Sequence, residues 1–335
     1  MGKATAIANA NIALVKYWGK RNKELMLPQT GSVSMTTEGL QAHTTVEFDP
    51  KYQEDVLVVN GKEFKKGEEE YDDYVGKFLS VVREMTGKDL KAKIVSNNNF
   101  PTAAGLASSA AGFAALAAAT NEALGLNLDE KQLSMLARRG SGSATRSIQG
   151  GFVEWKKGEK EDGTDCFAEQ LSEPEHWPEL RMVIAVTSKK DKKVKSRAGM
   201  KQSVANSPFY SAWRDDVVPK HIELMKKAIA EKDFNLLGQT AETNALMMHA
   251  VAIATTPPVI YWNAGTMGII HAVMDWRDEG MECYFTIDGG PQVKVLCLEK
   301  DVEEIKKRLN EFDNIEDVMV TRPGSPVKIV DKHLF

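Results

Sequence analysis

Cysteine is scarce in this chain: 335 residues hold three, Cys166, Cys283 and Cys297. Their spacing fits no metal site, and an odd number argues against a disulfide framework. Reduced thiols in a cytoplasmic setting are therefore expected. Long apolar runs are also missing. No stretch approaches the roughly 18 consecutive apolar residues of a membrane span, and residues 1–20 lack the charged, apolar and cleavage segments of a signal peptide. Positive charge is not in excess: 43 Lys and Arg face 47 Asp and Glu, a net charge of −4. That balance argues against nucleic acid as a partner but leaves room for a local basic pocket around an anionic ligand. Two nucleotide signatures are absent, the G-x-x-x-x-G-K-[ST] phosphate loop and the G-x-G-x-x-G dinucleotide turn. Without the second, a dehydrogenase is not expected. Histidine is sparse at six; His249, beside Met247 and Met248 in a helical stretch, reads as a buried residue rather than a base.

What is present suits a soluble globular enzyme or binding protein, with 42% hydrophobic and 27% charged residues. The length is generous for one core and predicts two domains sharing a cleft. Period-two patterns predict strands at 4–13, 32–37, 42–48, 56–59, 93–95, 150–155, 180–186, 281–287, 292–298 and 318–321, with a hairpin turn at Asn60-Gly61. Helical periodicity marks parts of 67–87, 110–124, 130–139, 221–230 and 302–312, with Asp129 as an N-cap and Gly140 as a stop. The closing strand–strand–helix–strand order predicts an antiparallel sheet with helices on one face, an α+β layer.

Four stretches carry chemistry. Residues 99–112 read NFPTAAGLASSAAG, a proline- and glycine-bearing loop feeding an Ala-rich helix whose first residues are Ser108 and Ser109. Free amides and the dipole at a helix N-terminus favour phosphate, although a Ser-capped Ala-rich helix equally serves to pack against a sheet. Residues 16–21, KYWGKR, place cations beside aromatics, either as a solvated turn or as part of a pocket. Residues 141–147, SGSATRS, surround one arginine with small hydroxyl side chains, which suits a carboxylate or phosphate and equally a turn paired to a structural acid. Asp288 precedes Gly289, Gly290 and Pro291 at a strand end, where a carboxylate can approach a ligand and where plain turns are also common. The most basic run, 189–195 (KKDKKVK), reads as a mobile surface loop.

PTAAGLASSA resembles the P-x-x-x-G-L-x-S-S-A phosphate loop of the GHMP kinase superfamily, and within it the diphosphomevalonate decarboxylase family. NIALVKYWGKRN, RRGSGSATRSIQGGFVEW and IDGGP are similar to the same family, in order and across nearly the whole chain; the family's D-A-G-P is D-G-G-P here. The resemblance implies an α+β, two-domain GHMP kinase fold with the active site in the cleft. Residues 1–185 would form the domain with the phosphate loop and 186–335 the domain with the catalytic acid. It implies ATP-dependent decarboxylation of mevalonate 5-diphosphate, with Mg²⁺ and a homodimer. Asp288, Arg146 and Lys16 would be catalytic, with Arg146 also keeping Asp288 ionised. Substrate contacts would come from Asn11, Tyr17, Trp18, Gly19, Lys20, Ser141, Gly142, Ser143, Ala144, Thr145, Arg146, Ser196 and Arg197. ATP would meet Ser96, Asn98, Pro101, Ala103, Ala104, Gly105, Leu106, Ala107, Ser108, Ser109 and Met200, with Ser109 also a Mg²⁺ ligand. The loop 189–195 would close over the phosphates to exclude water. The alternatives are a mevalonate or phosphomevalonate kinase, a phosphomevalonate decarboxylase, and a non-catalytic ATP-binding protein.

Overall fold

A computed structural model describes residues 2–68, 71–100, 108–190 and 192–335, the side chains of 73 and 74 excepted. The chain opens with β1 (Lys3–Val15), a short ribbon of β2 (Lys20–Asn22) and β3 (Leu27–Pro28), and the seventeen-residue β4 (Ser32–Phe48). β1 and β4 run antiparallel along nearly their whole lengths and form the spine of the first sheet. Two strands had been expected where β4 is one. Gly39, at φ +84°, lets the backbone kink there, and the pairing slips from Asn9↔Gln41 to Asn11↔Thr36 without breaking the strand.

β5 (Val56–Val59) and β6 (Lys62–Phe64) form the predicted hairpin, and Asn60 and Gly61 both take positive φ, as its tight turn requires. After α1 (Lys77–Thr86), β7 (Ala92–Asn98) pairs antiparallel with the second half of β4 and parallel with β5. α2 (Ser108–Leu124) lies on this sheet; six of its alanines have no exposed surface, so its backbone sits close to the strands. α3 (Glu130–Gly140) begins with the predicted cap: Asp129 accepts from Gln132 N, and the Gln132 side chain accepts from Asp129 N. β8 (Phe152–Trp155) pairs with the first half of β4, and β9 (Ala168–Ser172) pairs with β8.

The second sheet starts at β10 (Leu180–Val186). α4 (Ser196–Asn206) follows the basic run, then α5 (Tyr210–Ala212) passes through a π turn into α6 (Val218–Glu231), α7 (Phe234–Ile253) and α8 (Ala264–Asp278). β11 (Cys283–Thr286), β12 (Val293–Leu298), α9 (Val302–Leu309) and β13 (Asp317–Thr321) complete it in the order β11-β12-β10-β13, all antiparallel. β14 (Lys328–Ile329) returns to the outer edge of β1 in the first sheet. β10 shows why its sequence is an unbroken apolar run. Met182 and Ile184 face a core shared with α6 and α7, whereas Val183 and Ala185 face α8 and α9. The helices therefore cover both faces of this sheet, not the one expected.

The core shared with α6 and α7 also takes Ile12, Leu14, Val33 and Phe152 from the first sheet, which joins the two sheets through those helices. All pairing of β10 lies inside the second sheet, so a division at 185/186 cuts a strand. We propose instead that the halves divide within residues 173–179, ahead of β10. Among the described residues no helix is long and apolar enough to cross a membrane.

α7 meets β11 at Gly238, where an added Cβ would lie 1.9 Å from Tyr284 Cδ2. Gly238→Ala is expected to destabilise the protein by about 1–3 kcal/mol through overpacking, measured as a lower thermal midpoint. An unchanged midpoint would contradict this packing.

Candidate active site

Two strand ends, remote in sequence, face each other. β1 stops at Val15 and the next residue is Lys16; β11 stops at Thr286 and Asp288 follows two residues later. Lys16 Nζ donates to Asp288 Oδ1 at 2.8 Å and to Ala13 O at 2.6 Å. From the neighbouring β12, Lys294 Nζ lies 3.3 Å from the other carboxylate oxygen, Oδ2. α7 pins both main chains: Asn244 Oδ1 accepts from Lys16 N, and His249 Nε2 donates to Asp288 O, each at 2.8 Å.

Burial penalises every charge here, and the partners decide which charges survive. Burial alone would raise the Asp288 pKa, but the Lys16 and Lys294 ammonium groups overturn it and hold the carboxyl well below the usual range. Burial brings Lys16 down to about 8 even though Asp288 pulls the other way. His249, buried and stacked near Trp262, is pushed down to about 3, so it is neutral and donates through Nε2. This agrees with the structural reading of His249 from the sequence.

Arg146 sits on a 3₁₀ turn (Gly142–Ser147) with only 3% of its surface exposed. Its Nε and Nη2 donate to Asn11 Oδ1 at 3.3 and 3.1 Å, and Nη1 donates to Ser32 Oγ at 2.7 Å. Three of its five donors are thus committed among the described residues. Burial lowers it to about 10, opposed by the nearby Asp288 charge. The carboxylate's direct ion-pair partners are nonetheless Lys16 and Lys294, so the part expected of Arg146 in keeping Asp288 ionised falls mainly to the two lysines.

The other expected residues divide into three groups. Several converge on the same region. Ser109 Oγ at the start of α2 lies 3.3 Å from Ser141 Oγ, which lies 3.3 Å from Ser143 Oγ. Tyr17 Oη and Trp18 Nε1 are buried with no partner among the described residues. Tyr17 rests edge-on against Trp155 and beside Gly142, and burial raises its phenol pKa. Ser196 and Lys192 border Gly289, because a Cβ there would meet Ser196 Oγ at 3.0 Å and Lys192 Nζ at 3.1 Å. Lys20, Arg197 and Met200 line an adjoining cleft of about 870 Å³ together with Lys77 and Arg139. Ser108 opens α2 next to this region.

A second group supports the site from behind. Asn11 was expected on substrate, but its amide holds Arg146, Ser143 O and Ser147 Oγ. Ala144 and Thr145 are fully buried, and the Thr145 hydroxyl donates back to Gly142 O. Gly19 has φ +111° and packs under Tyr210, which also bonds Trp18 O. Ser96 Oγ is satisfied by Thr44 Oγ1 at 2.8 Å inside the sheet, whereas Asn98 Oδ1 has no partner among the described residues. The third group, Pro101, Ala103, Ala104, Gly105, Leu106 and Ala107, lies outside the described residues. Ser196, Arg197 and Met200, which follow the basic run read as a loop, lie in the helix α4.

Sequence reasoning missed Lys294, Asn244 and the main-chain role of His249. Only Lys294 left a trace, as a cation interrupting the apolar run VKVLCL. Among the described residues no three His, Cys, Asp or Glu side chains gather as a metal site. A hard cation would therefore have to rely on hydroxyl oxygens and on the ligand's own phosphates.

Against known proteins, residues 8–168 match the diphosphomevalonate decarboxylase-like N-terminal domain, and residues 182–330 match the mevalonate 5-diphosphate decarboxylase C-terminal domain. The chain belongs to the diphosphomevalonate decarboxylase family. The human diphosphomevalonate decarboxylase is 38% identical over 318 residues, covering 91% of this chain and 79% of the human protein. The Ganoderma lucidum diphosphomevalonate decarboxylase is 37% identical, covering 98% and 88%. Among solved structures, mevalonate diphosphate decarboxylase from Staphylococcus aureus superposes with a TM-score of 0.91 at 39% identity and 98% coverage of both chains. A structure described as MDDEF in complex with MVAPP, AMPPCP and magnesium gives 0.91 at 42% identity and 99% coverage of both. The mixed helix and sheet architecture is that of this GHMP kinase branch. The family's D-A-G-P becomes D-G-G-P where a methyl would press on the flexible ends of Ser196 and Lys192.

If His249 is neutral and bonded to Asp288 O, its ring ¹⁵N signals hold constant from pH 5 to 8. Its midpoint is lowered from 6.5 to about 3, so protonation begins only in acid. A midpoint near the unperturbed value of about 6.5 would refute the bond.

Proposed function

We propose that this protein is an ATP-dependent carboxy-lyase that converts mevalonate 5-diphosphate to isopentenyl diphosphate, ADP, phosphate and CO₂. The observation that carries the reading is one carboxylate, Asp288, set between the buried Lys16 and Lys294 beside Arg146, in a chain whose relatives over nearly its whole length are diphosphomevalonate decarboxylases.

The chemistry follows from the substrate. A tertiary alcohol is a poor leaving group, so ATP is used to phosphorylate it. Asp288, ionised throughout the neutral range, orients the tertiary hydroxyl and accepts its proton as the oxygen attacks the γ-phosphoryl group. Lys16 keeps the carboxylate aligned and, with Lys192 close by, offsets charge building on the transferring group. The remaining donors of Arg146 suit the substrate carboxylate, a planar group that matches the guanidinium fork. When the phosphorylated C–O bond breaks, the C–C bond to the carboxylate supplies the electron pair of the new alkene and CO₂ departs. Lys20, whose pKa burial and the neighbouring Arg197, Lys77 and Lys23 charges lower to about 8, belongs to a cation cluster suited to a diphosphate. Ser196, Arg197 and Tyr17 complete that end of the pocket, and Ser108 and Ser109 with the α2 N-terminus face ATP. Mg²⁺ accompanying ATP would neutralise phosphate charge, with the Ser109 hydroxyl as its protein oxygen. α4 and the basic run before it exclude water from the transfer.

The reading extends to a cytoplasmic homodimer acting on small molecules, not on nucleic acid or membrane. The three thiols, all free and buried, suit a reducing compartment, and light scattering on the purified protein measures the oligomeric state.

The direct test is CO₂ release from ATP and mevalonate 5-diphosphate; ADP formation without CO₂ would make the protein a kinase. Asp288→Asn is expected to lower kcat on the order of 10²–10⁴-fold with little change in ATP affinity, and near-normal turnover would remove Asp288 from the chemistry. Arg146→Lys loses the fork and raises KM for the diphosphate substrate, lowers kcat, or both; unchanged kinetics would exclude a carboxylate contact. Lys16 carries its proton below about 8 and loses it above, so activity falls as pH rises through about 8. Lys20 and Lys192, also lowered to about 8 by burial and neighbouring cations, act in the same direction. A rate that stays flat to alkaline pH would contradict this charge arrangement.

A further inference from the structure

We infer that Lys294 is a positioning residue for catalysis: from the centre of the second sheet it fixes the plane of the Asp288 carboxylate by holding the oxygen that Lys16 does not reach. The inference rests on the decarboxylation proposed above and names a residue that neither motif nor loop chemistry pointed to.

The placement of Lys294 carries the argument. β12 alternates, with Val293 and Val295 facing the α8/α9 core and Leu296 facing the core shared with α6 and α7. Lys294 occupies the second face, paired in register with Ile184 on one side and Thr286 on the other, and has no exposed surface. An aliphatic side chain would pack there at no desolvation penalty. A buried ammonium is tolerated only beside a compensating charge, and Asp288 Oδ2 lies 3.3 Å from Nζ.

The two-point grip has a geometric consequence. An aspartate carboxylate turns easily about Cβ–Cγ, where the torsion is broad and roughly two-fold. One ion pair at Oδ1 leaves that rotation open. A second positive charge 3.3 Å from Oδ2, on a different structural element, opposes it, and because Oδ2 accepts no hydrogen bond among the described residues its lone pairs stay available to a substrate hydroxyl. Lys16 comes from the end of β1 and Lys294 from the start of β12, so the carboxylate is tied to both sheets. Among the described residues, the other charged or titratable groups facing Asp288 are Lys192 from the segment before α4, Arg146 from the 3₁₀ turn and His249 from α7.

Lys294→Met and Lys294→Gln separate this role from simple packing. Methionine removes charge and donor; glutamine keeps a donor and removes the charge. Both are expected to fold, with kcat for the methionine variant down on the order of 10²-fold, as for a misplaced reacting group, and the glutamine variant between it and wild type. KM for ATP stays near wild type. The pH profile is the deciding readout. Losing a positive charge raises the pKa of Asp288 and also of Lys16, which Lys294 now lowers. The alkaline limb, which Lys16 governs, therefore moves to higher pH. Wild-type kcat in both variants, or lower activity with an unmoved alkaline limb, would overturn the inference.

A thermal double-mutant cycle with Asp288→Asn needs no catalysis. Lys294→Met should shift the melting temperature differently in the wild-type and Asp288→Asn backgrounds; additive shifts would overturn the pairing. If wild type releases no CO₂, the functional reading falls and the cycle still judges the pairing. If wild type turns over while the cycle is additive, only the inference about Lys294 falls.

Discussion

A carboxylate held between two buried ammonium groups is the constraint on which the rest of this structure depends. Asp288, Lys16 and Lys294 come from three strands or strand ends in two sheets, and none of their charges is stable in that interior alone. Their mutual compensation permits a charged centre where the two sheets meet. It also explains the commitment of α7, whose Asn244 and His249 each hold the main chain of one partner. The helix acts as a spacer between the ends of strands that belong to different sheets.

Around that centre the protein arranges polar support in layers. Asn11 and Ser32 fix Arg146, and Asn11 also bonds Ser147 Oγ and Ser143 O, so the SGSATRS segment is anchored to β1 and β4. Ser109, Ser141 and Ser143 link the start of α2 to the same segment. The buried cations outnumber the buried acid. Lys16, Arg146, Lys192 and Lys20 all lose proton affinity through burial, and like charges press further on most of them. Such a pocket is strained until anions enter, which suits a reaction with two polyphosphates and a carboxylate. The same excess makes a protein that is acidic overall basic at its candidate site.

Local pattern was enough for much of the scaffold. Asn60-Gly61 demanded positive φ twice, and the hairpin followed; Asp129 and Gln132 capped α3 as their spacing implied. LRMVIAV announced a strand buried on both faces. Failures came where geometry depends on distant partners. β4 was read as two strands because Glu38 and Gly39 interrupt its alternation, but continuous pairing with β1 holds it together. α8 carried no decisive local signal, and β10 belongs to the second sheet only because β12 and β13 pair with it.

The site divides in the same way. Asp288, Arg146, Lys16 and the serine clusters were legible in the linear sequence, because short segments with unusual residue types at fixed spacing survive any folding. Their family likeness depends on nothing but order along the chain. What the linear order could not specify was who compensates whom. Lys294 looked like one cation in a strand, Asn11 like a ligand contact, and Arg146 like the partner of Asp288. Those assignments turn on distances of about 3 Å, whether the partners lie 132 positions apart, as Asn11 and Ser143 do, or at adjacent strands, as Lys294 and Asp288 do. Charge pairing in a buried site is decided by the closing of two sheets through a shared helix layer, and only the folded arrangement contains that information.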